Sequence, residues 1–437
     1  MPIRNGIATA RPRSVPMRQK SARLRRRILH GVLPALVLFG ACKSGERQNA
    51  QQFTVSDSAS IQIAHNGGSP LQSVPQWTVS DTPLLSIGED GRDSANLLFG
   101  IRSPHRRADG TIALGNGGSP DLRFYDQGGK FVRSIGRRGD GPGEFQGMYG
   151  LFHCAGDTMV VRERRRLSFW DGDGRFVRTV VTNFGNSGWA QSVEAVSHDC
   201  SKVLVAENNP TMGSDTRTRA EHRLFWWNLR GSVALDTLMR YHGTESIALN
   251  YLGNQVRANI PWSPAPVVAR SSSGVVFGGG SHAEFRLIGD KGITTLVRWD
   301  AKAREVTADD RASFESKIAK LKALYPDQAS SYPPLNLLSP NNTMPLFSAA
   351  IAEDTGNVWL REYGEFEGGY VNTFAPESKK MDTRWLVFDN SGRMLATVQL
   401  PANLEVKQIR ADEVIGVWRD EDDSESVRIY QLQRKPK

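Results

Sequence analysis

Two strand-like phrases recur along this chain at nearly constant spacing, and that period constrains the fold more than any other feature. Leu84–Gly88 (LLSIG) is followed by Asp109–Leu114 (DGTIAL), and Phe131–Gly136 (FVRSIG) by Gly156–Val161 (GDTMVV). Ile87 matches Ile135 and Thr111 matches Thr158, a period of 48 and then 47 residues. A period of about 40 to 50 residues built from strand-like segments is the signature of propeller blades, each burying its apolar faces against its neighbours.

The repeat also explains the glycine-rich run Phe131–Phe145 (FVRSIGRRGDGPGEF). Its composition suits a phosphate loop, but Glu144 stands where G-x-G-x-x-G needs its third glycine, and Pro142 replaces the P-loop lysine. The run reads instead as the outer strand of one unit, Phe131–Ile135, followed by a crossing, Gly136–Phe145, to the next.

Two cues recur with the period. A turn precedes a short apolar strand (GTIAL, DTMVV, KVLVA, GVVFG, NVWLR), and an amphipathic strand ends in an aromatic and an acid or amide (LRFYD, LSFWD). Units begin near Leu97, Met148, Ser192, Ala265 and Phe347. A sixth unit, Leu404–Leu432, has only three strands, whereas Leu84–Gly88 is a lone fourth strand. Joining them would close the ring and remove two open edges. The expected fold is therefore all-β: a six-bladed β-propeller of four-stranded antiparallel blades over residues 53–437, closed by an amino-terminal strand completing the last blade. One insertion, 305–345, departs from the repeat. Phe314, Ile318, Leu321 and Tyr325 have helical spacing behind Thr307, which predicts a helix with a threonine cap.

The formal charge of +9 would suit a nucleic-acid binder. Residues 1–41, however, hold nine Arg and Lys and no acid, leaving 46 basic against 46 acidic residues in the remainder. The basic excess thus belongs to a targeting segment, and nucleic-acid binding loses its support. Arg23–Arg27 form a basic region, Ile28–Phe39 a short apolar one, and Phe39-Gly40-Ala41-Cys42 ends it. The apolar run is shorter than the roughly 20 residues that span a bilayer. This order resembles a bacterial lipoprotein signal over residues 1–41, in which Cys42 would be lipidated and bind a membrane; Met17 would start a signal of more usual length. An ordinary secretory signal with an unmodified Cys42 is the competing reading. Residues 42–52 read as a polar tether. The implied location is the bacterial envelope, periplasmic or surface-facing. Cys154 and Cys200 remain; a disulfide between them is open, and two independent buried thiols are the simpler expectation.

IGRRGDGPGEF, the DG turns and the FYD…GGKFV strand ends resemble the six-bladed β-propeller lipoproteins related to NHL-repeat proteins. The resemblance covers roughly Leu84 to Leu432 and implies the fold more than a function, because members bind, scaffold or catalyse on one frame.

The position after each second strand holds Asn116, Glu163, Glu207, Gly279, Glu362 and Trp418. Three carboxylates and an amide at a channel mouth would suit Ca²⁺ or a polar ligand. Arg162 and Arg361 beside two of the acids favour surface ion pairs instead. His105, His153 and His198 lie near the ends of first strands, but their offsets to the next strand differ, so they need not converge. Trp189, Trp262 and Trp359 could offer aromatic platforms to a glycan or peptide, against the plainer reading of packing between blades. G-x-S-x-G, H-E-x-x-H and C-x-x-C do not occur. The leading reading is a lipid-anchored module that binds a protein, glycan or small molecule. The alternatives are a metal-dependent enzyme like the lactonases and lyases of related folds, and a purely structural envelope protein.

Overall fold

The computed structural model describes residues 52–89, 96–182, 191–208, 217–231, 233–272, 274–290, 292–364 and 384–434. The signal-like segment, Cys42, the tether up to Gln51, and Trp189 lie outside the described residues. The chain divides into a unit Met1–Arg47 and a unit Gln48–Lys437, and every element below belongs to the second.

The fold is all-β and propeller-like. Strands β1 (Gln52–Ser58) and β2 (Ile61–Gly67) form a hairpin, followed by β3 (Gln76–Val79) and β4 (Leu85–Ile87). Four antiparallel strands in chain order then make the first sheet: β5 (Ile101–Arg106), β6 (Ile112–Asn116), β7 (Asp121–Tyr125) and β8 (Phe131–Ile135). The second repeats that plan with β9 (Gly150–Cys154), β10 (Thr158–Arg162), β11 (Arg166–Trp170) and β12 (Phe176–Val181). The third has five strands: β13 (Gln191–Val196), β14 (Lys202–Asn208), β15 (Thr218–Asn228), the long β16 (Val233–Tyr251) and β17 (Asn254–Asn259). The fourth is β18 (Val267–Ser271), β19 (Gly274–Gly278), β20 (Glu284–Gly289) and β21 (Gly292–Trp299), with β2 added parallel to β21 and β1 outside it. The fifth is β22 (Phe347–Ala352), β23 (Val358–Glu362), β24 (Arg384–Phe388) and β25 (Met394–Gln399). The last is β26 (Leu404–Arg410), β27 (Glu413–Arg419) and β28 (Glu425–Gln433), with β4 antiparallel on β28. Strand β3 lies between β25 and β28 and joins these two sheets.

Burial follows sequence strand by strand. Second strands are apolar runs because neighbouring sheets cover both their faces; all five residues of β6 are buried. Outer strands face solvent on one side, and the middle three residues of β8 are exposed. Because side chains alternate across a strand, Met159 and Val161 pack toward the first sheet with Leu122 and Phe124, while Val160 packs toward the third with Val205 and Phe225. Further clusters join the third sheet to the fourth, the fourth to the fifth, and the fifth to the last. Ile415, Val417 and Ile429 then meet Ile112, Leu114 and Tyr125, bringing the last sheet back onto the first. Each buried Leu, Ile, Val or Phe contributes about 1.5–3 kcal/mol on removal from water.

The glycine-rich crossing winds around one ring. Phe145 is fully buried between the first two sheets, 5.4 Å from the ring of Trp170. A Cβ on Gly136, which has φ 79°, would lie 2.3 Å from the Phe145 ring. Glycine is required there by both space and backbone conformation.

The insertion is a small unit with a pinned base. A bridge between Glu305 and Thr343 closes its ends. Its helix, Ala308–Leu324, is capped reciprocally by Thr307 and Asp310, and Arg304 grips the Asp310 carboxylate at 2.7 and 3.0 Å. Phe314, Ile318 and Leu321 pack on Trp262, Tyr332 and Met344, and Lys322 Nζ donates to Tyr251 Oη at 2.9 Å. The helix therefore buries its apolar side against the arm formed by the long β16 and the segment that follows it.

Candidate functional site

In each sheet the start of the first strand faces the end of the second. Ile101 lies opposite Asn116, Gly150 opposite Arg162, Gln191 opposite Glu207, Val267 opposite Gly278, Phe347 opposite Glu362, and Leu404 opposite Trp418. This register brings the candidate positions to one end of the sheets, which we call the rim. The base of the insertion enters between β21 and β22 at the same end.

Each candidate side chain on the rim is already engaged. Asn116 Oδ1 accepts the Phe99 N–H at 2.9 Å, and its Nδ2 donates to Ser119 Oγ at 2.8 Å. Glu163, fully buried, accepts the Gln146 N–H, Arg166 Nε and Ser168 Oγ, all at 2.8 Å. Glu207 accepts Gln191 Nε2 at 2.8 Å and is paired with Arg223. Glu362 receives two bonds from Arg384, at 2.9 and 2.8 Å. The Arg428 guanidinium lies 3.9 Å over the Trp418 ring.

The oxygen-donor ring that a Ca²⁺ reading needs is therefore not assembled, because guanidinium groups already neutralise the three acids. Among the described residues, no three of His, Cys, Asp and Glu are placed to hold a metal ion. The arginines responsible were missed in the sequence, yet they follow the repeat. Every third strand carries one: Arg123, Arg166, Arg223, Arg286, Arg384 and Arg428, partnered by Asp121, Glu163, Glu207, Glu284, Glu362 and Glu89. The described tryptophans follow the plainer packing reading. Trp262 and Trp359 are buried in apolar clusters, and Trp226 and Trp227 pack against different neighbouring sheets.

The opposite end holds a cavity of about 450 Å³ where first strands from several sheets converge; Ser103, His105, His153, Arg270, Asp354 and Gln408 are among its lining residues. His105 and His153 stack there at 4.1 Å with planes 16° apart. They occupy equivalent positions, facing Ala113 and Met159, the second residue of each second strand. Exposed His198 also borders the cavity. The three histidines thus share a cavity, and two of them form a ring stack.

Burial dominates the electrostatics of this end. It pushes His105 down to about 4, helped by Arg410 and Arg107 and opposed by Asp157. His153 is held well below the usual imidazole range, by burial first and then by His105. His153 Nε2–H donates to the Ser103 carbonyl at 3.2 Å. Burial raises the Asp354 carboxyl, against the pull of Arg410 and Arg270. Cys154 on the wall is bonded to Cys200, with Cα atoms 5.7 Å apart. That bond corrects the expectation of two independent thiols: the close approach of the second and third sheets brings both residues within disulfide range.

No protein-family model matches the chain, and no curated protein does so. Among solved structures, it is similar to a member of the duf4221 family from Bacteroides vulgatus (TM-score 0.47, 11% identity, 89% of this chain and 99% of that one). It is also similar to a protein described as exported from Bacteroides fragilis (TM-score 0.43, 11% identity, 83% and 100%). A third is a gluconolactonase from Xanthomonas campestris (TM-score 0.37, 11% identity, 83% and 99%). At these scores the likeness carries neither ligand nor activity to this chain.

Proposed function

We propose that this chain is a six-bladed β-propeller, tethered through a lipid on Cys42 to a membrane of the bacterial envelope, that works as a binding or scaffold module. The blade count is supported by the order of sheets and by apolar clusters linking each sheet to the next and the last to the first. The anchor is supported by the basic, apolar and cysteine order of residues 23–42.

The observation that carries recognition over hydrolysis is the pairing of each rim carboxylate with an arginine. A rim locked by such pairs is preorganised and charge-balanced, which suits docking of a protein or glycan partner. It leaves no open cation seat or free general base among those acids. The partner face is the end bearing Asn116, Glu163, Glu207, Glu362 and Trp418, with the helical insertion beside it.

The anchor is tested by Cys42→Ser, which should release the protein from membranes and remove the lipid mass. Recognition is tested by capturing envelope partners with wild-type protein and with a charge-reversed Arg384→Glu rim variant. Capture of a defined protein or glycan that the variant loses is expected. Ca²⁺-dependent turnover of a lactone, abolished in Glu163→Gln, would overturn the binding reading.

A further inference from the structure

Around the cavity at the end opposite the rim, most charges are paired. Glu353 is met by Arg434 at 2.6 Å, Lys407 by Glu405, Arg106 by Glu413, and Arg107 by Asp157 at 3.5 Å. What remains around the cavity is Arg270 and Arg410 against Asp354. Arg410 is committed to the carbonyls of Arg106 and Arg107, at 3.0 and 2.9 Å. Arg270 makes no hydrogen bond or ion pair among the described residues, although it is half-buried and borders the cavity; only the more distant charge of Asp354 acts on it. A guanidinium withdrawn from water without a partner is unfavourable, and a bidentate oxyanion is its best geometric complement.

The second element is the imidazole stack. The His105 ring has no hydrogen bond among the described residues, so its nitrogens remain available, and its flat face already accepts one ring. Ser103, Ser271, Ser272 and Gln408 add polar atoms to the wall. A cavity of about 450 Å³ is larger than a bare inorganic anion needs and falls within the range for small organic ligands.

We infer that this cavity is a binding site for a small organic acid, its carboxylate held by Arg270 and its body set against the His105–His153 stack. The bound carboxylate adds a second negative charge to that of Asp157, against the burial and the Arg410 and Arg107 charges that disfavour the imidazolium, so binding draws a proton onto His105. The site is separate from the rim and stands or falls independently of a macromolecular partner there.

The test uses the whole purified protein, with calorimetric titration of formate, succinate and citrate, and of inorganic phosphate, at pH 5.5 and 7.5. Saturable binding of at least one carboxylate is expected, tighter at pH 5.5, with proton uptake revealed by buffers of different ionisation heat. Arg270→Gln should weaken it by about tenfold or more, and Arg270→Lys by less. In wild-type protein, the His105 ring resonances should titrate at higher pH when the acid is saturating, a readout that needs no variant. Binding of phosphate alone would overturn the organic-acid assignment. No saturable binding by any of these probes, equal binding by folded Arg270→Gln, or a His105 titration unmoved by the bound acid would overturn the site.

Discussion

Asn66 donates from Nδ2 to the carbonyl of Gly392 at 2.8 Å, joining residues 326 positions apart. The same amide donates to the Arg298 carbonyl at 3.2 Å, and its Oδ1 accepts the Met394 N–H at 2.7 Å. Asn66 is wholly buried. One side chain on β2 therefore ties the fourth sheet to the hairpin between β24 and β25. Asn66→Ala would remove the hydrogen bonds that Asn66 makes to three backbone groups and should lower unfolding free energy by about 2–4 kcal/mol, measured in urea. An unchanged midpoint would show that this clasp does not hold the sheets together.

Glu163 is the buried centre of its rim contacts. Glu163→Ala takes the only carboxylate the structure pairs with Arg166 among the described residues, leaving its guanidinium on the Asp140 and Glu144 carbonyls, and should cost about 3–5 kcal/mol. Glu163→Gln keeps the shape and should cost less. The double variant with Arg166→Ala should recover part of the loss in the same denaturation assay, since no uncompensated charge remains.

The Cys154–Cys200 bond closes a loop of 46 residues between two sheets. Replacing both cysteines with alanine should destabilise the fold by about 4 kcal/mol in the chain-entropy account. Chemical denaturation of the oxidised protein and the double variant, side by side, measures the difference.

Acid should weaken the fold through His105. Burial depresses its folded pKa from 6.5 to about 4, opposed by Asp157 and helped by Arg410 and Arg107. Between those values the unfolded chain binds a proton that the folded chain refuses. Stability present above pH 6.5 is therefore lost as pH falls toward 4, by on the order of 3 kcal/mol. His153 is depressed too, so His105→Gln should reduce the slope of unfolding free energy between pH 6.5 and 5 without abolishing it, in a window where most carboxylates are still ionised.

The parts legible in the sequence were those that one strand fixes alone. Ile112–Leu114 and Met159–Val161 announce themselves as apolar runs because both faces are covered, and Thr307 with its helical spacing announces the insertion. What escaped depends on register between strands. Arg166, Arg223 and Arg384 recur visibly, but their acids sit on or just beyond second strands at varying separations. His105 and His153 have different offsets to the next strand, yet a bulge at Ser103, with φ 38°, and unequal turns bring them into stack. Strand β1 escaped because an exposed edge strand such as QFTVSDS carries little apolar signal.

The pairing of β4 with β28 places Leu85–Ile87 beside Val427–Ile429. Strand β4, made early, must wait for β28, the last strand made in its sheet. Synthesis alone therefore cannot complete this sheet until Val427–Ile429 has emerged. A product terminated before β28 would carry β4 without that partner, an open strand edge prone to association with other chains.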